Sequence, residues 1–143
     1  MASMISRPGS PRIVRITFVV ALLFGNTACI AVDYPSKRRA QDAQAARALR
    51  SVAALENSYR ARTGRYTERF ADLGRPLQDI PGQRGCAAGY CYELALTANG
   101  FEARAWPETL GESGYRSFYV DQSGVVRYTV KSARASSHDH VLE

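Results

Sequence analysis

Between Ser36 and Arg62 the chain holds no Gly or Pro, and Ala45, Leu49, Val52, Leu55 (or Glu56) and Tyr59 recur at intervals of three and four. That spacing draws one apolar stripe along a helix. Ser36 stands where an N-cap belongs, and its hydroxyl can accept from the unpaired amides of the first turn. At the far end Arg60 and Arg62 oppose the negative helix terminus, and Gly64 can take the left-handed position just beyond it. The pattern predicts a helix of about 27 residues, close to 40 Å long at 1.5 Å per residue. Its opening, SKRRAQDAQAARA, has only alanines as apolar groups, so its N-terminal turns are expected to project from the domain or continue toward the membrane.

Beyond the helix the period changes. A short helix is predicted across TERFADLG, with Phe70 and Leu73 on one side, followed by an irregular Pro- and Gly-rich connection over residues 75–89. YCYELALT then alternates, with Tyr90, Tyr92, Leu94 and Leu96 on one face. Asn99-Gly100 reads as a two-residue hairpin turn, because a type I′ turn needs positive φ at both central positions. FEARA returns as a second strand until Pro107 stops it. YRSFYVD, a QSG turn and VVRYTV complete a four-stranded antiparallel meander. Residues 131–143 show no apolar period and are predicted to be disordered. One long helix followed by such a meander implies an α+β fold, with the stripe of Leu49, Val52, Leu55 and Tyr59 packed on the apolar face of the sheet.

The N-terminal pattern differs from all of this. Arg7, Arg12 and Arg15 precede an apolar core from Ile16 to Phe24, and no charge occurs between Ile16 and Val32. Basic residues before an apolar core are the layout of a secretory signal. Nine helical residues cover about 14 Å of a hydrocarbon layer roughly 30 Å thick, which favours removal, whereas counting on to Val32 reaches a borderline span. In either case the Arg residues stay in the cytoplasm and everything after Val32 lies outside it. Residues 1–35 therefore read as a signal peptide or membrane anchor, residues 36–130 as the domain and residues 131–143 as a tail. Cys29 follows the small residues of NTAC, which resembles a bacterial lipobox with Asn26 where an aliphatic residue is usual. It is either the lipidated first residue of a mature chain or an inert small residue.

Composition adds limits. Of 143 residues, 45% are hydrophobic and 22% charged, as in a folded protein, and the net charge is +6. Without residues 1–28 there remain 16 basic and 13 acidic side chains, a net +3, and the Lys and Arg are spread along the chain rather than gathered into a stripe with aromatics between them. That argues against nucleic acid as a partner. In an exported chain Cys86 and Cys91 are expected to form a disulfide. A structural zinc would need four ligands, and there is no second Cys pair. His138, Asp139 and His140 could bind a metal or exchange protons, but nothing in the tail orients them. Asp121 to Gly124 lacks the alternating ligands of a calcium loop and reads as a turn. Ser58, Ser113, Ser117 and Ser123 have no nucleophile-elbow motif, and no phosphate-cradling Gly pattern occurs. No catalytic, cofactor-binding or metal-binding residue is assigned, and no enzyme activity is expected.

ALRSVAALENSYRARTGRYTERFADLG resembles the exposed helix and following turn of type IV pilins and type II secretion pseudopilins, with its T-G-x-Y turn and later L-G. YCYELALTANGFEARAWPE and GYRSFYVDQSGVVRYT resemble the sheet of that family, including a strand ending in Ala-x-Pro and a late F-x-x-D-x-x-G-x-x-R hairpin. The resemblance covers about residues 36–130. The opening stretch departs from it: Gly25 follows the apolar run instead of preceding it, and no acidic residue occurs before Asp33. The resemblance implies a structural or interaction subunit outside the cytoplasmic membrane, with sibling subunits or secretion-system proteins as partners and the membrane held through the N-terminal segment. Two other readings remain open. One is a periplasmic lipoprotein with the same domain and no filament role. The other is a ligand-binding domain using an aromatic surface of Tyr90, Tyr92, Trp106, Tyr115 and Tyr119.

Overall fold

The computed structural model describes residues 34–131 and 134–143, with side chains from Ser36 onward. The elements are helices α1 (Tyr34–Thr63) and α2 (Phe70–Leu73) and strands β1 (Arg84–Ala87), β2 (Tyr90–Thr97), β3 (Gly100–Pro107), β4 (Ser117–Asp121), β5 (Arg127–Thr129) and β6 (His140–Val141). The architecture is α+β. The six strands stand in chain order, each antiparallel to the next. Among the described residues no helix is long and apolar enough to cross a membrane. The apolar stretch of residues 16–32 and Cys29 lie outside them.

α1 begins two residues before the predicted cap, so Ser36 sits inside its first turn. Pro35 is tolerated there because the first turn has no amide partner to lose. The helix ends as its sequence prescribes. Gly64 has φ +78°, its N–H donates to the Arg60 carbonyl at 2.8 Å, and the Thr63 hydroxyl bonds the Tyr59 carbonyl. Leu49 and Val52 are fully buried, each stabilising by about 1.5–3 kcal/mol relative to exposure. Leu55 and Tyr59 pack only partly against the core, because the stripe continues through Glu56. In the alanine-rich opening Ser36, Lys37, Arg39 and Ala40 are exposed, and burial begins at Asp42. Asp42, Ala45, Ala46 and Ala48 are buried, the small side chains letting the helix lie close to the sheet.

The sheet differs from the predicted four strands at both edges. β1 forms a hairpin with β2 through Ala88-Gly89, whose φ values of 53° and 81° are the two positive angles of a type I′ turn. An Ala rarely takes the first of these, which hides the turn in the sequence. The β2–β3 hairpin turns at Ala98-Asn99, one residue before the predicted pair, and Gly100 lies in the ladder opposite Thr97. A Cβ on Gly100 would come within 2.7 Å of Gln122 Oε1. The tail supplies β6, and Ala135 and Leu142 pack inward where disorder is predicted.

Register then divides the side chains. Tyr90, Tyr92, Leu94, Phe101, Ala103, Ala105, Phe118 and Val120 bury on the helix side, where α1 touches β3 and β4. The outer face carries Cys86, Cys91, Glu93, Glu102, Arg104, Trp106 and Tyr119. Cys86 and Cys91 stand opposite each other on β1 and β2 and are joined as a disulfide.

Candidate functional site

The first half of α1 meets the loop before β4 at Asp42. Its Oδ1 accepts from the Tyr90 hydroxyl at 2.5 Å and from the Tyr115 N–H at 3.0 Å, and the Arg116 carbonyl lies 2.9 Å from the same hydroxyl. Burial, and then the bond to Asp42, pushes the Tyr90 phenol above its usual range. Gly114 passes so close that a Cβ there would overlap Tyr90 Oη and Asp42 Oδ1. One turn earlier, Arg38 donates to the Tyr115 hydroxyl at 2.7 Å and lies over its ring. These contacts fix the β3–β4 loop against the helix.

Beside this clasp a groove of about 640 Å³ opens between α1, β4 and the C-terminal residues. Ala43, Ala46, Phe118, Val130 and Leu142 supply apolar lining, Arg39, Arg47, Arg50 and Arg116 line it with four basic residues, and Asp42 and Glu143 add two acidic ones. Spacings of four, three and four place Arg39, Ala43, Ala46 and Arg50 along one helix face, with Arg47 beside them. Arg116 stacks over Tyr128 at 4.7 Å. Among the described residues Arg39, Arg47 and Arg50 have no carboxylate within ion-pair distance.

The outer sheet face is the opposite case. Arg104 pairs bidentately with Glu102 at 2.6 and 2.9 Å and lies over Tyr119. Glu93 takes both Arg84 and Arg134, and these two guanidinium groups also lie over Trp106, at 5.5 and 4.4 Å. Here the cations are consumed by carboxylates and rings. Among the groove arginines, only Arg116 is seen over a ring among the described residues.

Glu56 is a second buried polar group. It is fully excluded from solvent, and its Oε2 accepts the Thr67 N–H at 3.1 Å while Oε1 has no partner among the described residues. Burial pushes its pKa up to about 7. The Thr67 bond opposes that rise, and the Asp72 charge adds to it. The carboxyl ties α1 to the turn before α2, where Thr67 in turn bonds Asp72 and the Arg69 N–H.

The predicted aromatic set is not assembled into one surface. Tyr90 and Tyr92 bury beneath the helix, Trp106 and Tyr119 occupy the outer face, and Tyr115 sits in the loop against Arg38. His140 lies in β6 with its ring 5.8 Å from Tyr128, and Asp139 bonds Ser136, which holds its carboxyl below the usual range. Among the described residues no group of three or more His, Cys, Asp or Glu could hold a metal ion. Asp121 to Gly124 forms the β4–β5 turn, with Ser123 N–H on Asp121 Oδ1. No family model, curated protein or solved structure matches this chain. Asp42 and the groove arginines were legible only as helix polar positions. The sequence signal for Glu56 was a carboxylate at a stripe position.

Proposed function

We propose that the chain is an exported, membrane-attached interaction subunit of the pilin and pseudopilin kind, without enzymatic activity. The observation that carries the reading is one helix lying across an antiparallel sheet built in chain order, with the resemblance motifs at its junctions. Thr63, Gly64 and Tyr66 form the turn that closes α1, and Phe118, Asp121, Gly124 and Arg127 span the β4–β5 hairpin. The apolar stretch of residues 16–32 directly precedes α1 and would tether it, facing the periplasm or the cell exterior. Contacts to sibling subunits or secretion-system proteins would run over the exposed helix side, where Ala54 and Asn57 stand clear of the sheet.

The test combines intact mass and crosslinking. A photoreactive residue at position 54 or 57 of the native membrane-held protein is expected to capture a sibling subunit or a secretion-system protein. Recovery of monomer alone from such membranes overturns the reading. A mature mass beginning at an acylated Cys29 with no captured partner would instead establish the periplasmic lipoprotein.

A further inference from the structure

We infer that the arginine-lined groove is a receptor for the headgroup of an anionic phospholipid, holding the domain down on the membrane to which its N-terminal segment attaches. The inference rests on the proposed tether. Three observations converge on it. First, Arg39, Arg47 and Arg50 of α1 and Arg116 just before β4 line one concavity and outnumber its two carboxylates, Asp42 and Glu143, and the three α1 arginines have no carboxylate within ion-pair distance among the described residues. Such a cluster fits a phosphate diester, because each guanidinium offers a planar fork of donors to its oxygens. Secondly, Ala43, Ala46, Val130 and Leu142 give the groove an apolar part. A free inorganic anion gains nothing from that surface, whereas glycerol and the first acyl carbons can lie on it.

The third observation is position. Arg39 follows the uncharged stretch of residues 16–32 by only seven places, and Arg47 and Arg50 lie two to three helical turns further on. With residues 16–32 as the proposed tether, the groove begins within about two helical turns of the attachment. A basic patch beside a membrane attachment adds a second, electrostatic signal for anionic lipid. The outer sheet face, with its arginines already paired, cannot supply that signal. The groove can.

The test uses the full-length protein in neutral detergent, given equal amounts of phosphatidylglycerol and phosphatidylcholine and read by native mass spectrometry. Phosphatidylglycerol adducts should dominate. Arg47→Glu combined with Arg50→Glu should lower that preference by about 25-fold, at roughly fivefold per cation. Arg62→Glu with Arg65→Glu, at the far end of α1, should leave it unchanged. All four sites are exposed, so both variants should melt like the parent, and melting curves verify that. Equal retention of the two lipids overturns the inference, as does equal loss in both variants. Competition by inorganic phosphate as effective as that by the lipid also overturns it, marking a free-anion site. If the groove variant loses only crosslinks to a protein in native membranes, the ligand is an acidic partner and the lipid is excluded. The tether is judged separately, by the mass of protein extracted from those membranes, because headgroup preference in detergent does not require it.

Discussion

Glu56 is the residue whose burial has the clearest measurable effect. Its carboxyl titrates near 7 in the fold against an ordinary value of 4.5. A raised carboxyl pKa means that the folded chain holds a proton which the unfolded chain has released. Stability is therefore unaffected below about 4.5, falls between about 4.5 and 7, and is level above. The slope in that window is about 1.4 kcal/mol per pH unit for a single group. Comparing Glu56→Gln with the parent in urea titrations at a series of pH values should show the extra slope only in the parent. Parallel curves would mean that the carboxyl is hydrated. Tyr90→Phe removes the hydroxyl that serves Asp42 and should cost about 1–3 kcal/mol, because a buried carboxylate loses a donor. A melting temperature equal to that of the parent would refute it. Leu49 and Val52 were legible from spacing alone. Glu56 was legible only as a position, because stripe periodicity reports which way a side chain points and not whether a carboxylate is hidden there.

At the scale of elements, α1 and the strands β2 to β5 follow from period and punctuation, and the misses have local causes. The β1–β2 hairpin turns on an Ala with positive φ, a conformation no turn rule assigns to Ala. Its strand is mostly exposed, so it carries no apolar alternation to find. The disulfide across this hairpin closes a loop of only a few residues. Replacing Cys86 and Cys91 by Ser should therefore lower stability by about 2 kcal/mol and leave the far-ultraviolet dichroism intact. Loss of the strand signal would show that the ladder depends on the bond. The groove was illegible for a related reason. Its arginines look like an ordinary solvated helix face until the β3–β4 loop and the C-terminal residues are brought against them.

At the scale of the whole molecule, α1 covers one face of the sheet, and on the other Arg134 lies over Trp106. The tail also pairs β6 with β5, so removing residues 134–143 leaves β5 as an open edge. The truncated protein should show Trp106 emission at longer wavelength and a raised tendency to associate. Unchanged emission and a monomeric profile would mean that the tail merely rests on the domain. The chain-order sheet has a further consequence for how the molecule comes into being. Every strand finds its partner in the segment made just before it, so the ladder can zip without threading or long loop closure. α1 is the exception, since it docks mainly on β3 and β4, far along the chain, besides its Asp42 bond to Tyr90 of β2. A chain delivered amino end first must keep Leu49 and Val52 bare until Ser117–Asp121 has emerged, and a chaperone that shields nascent helices would find its substrate in that interval.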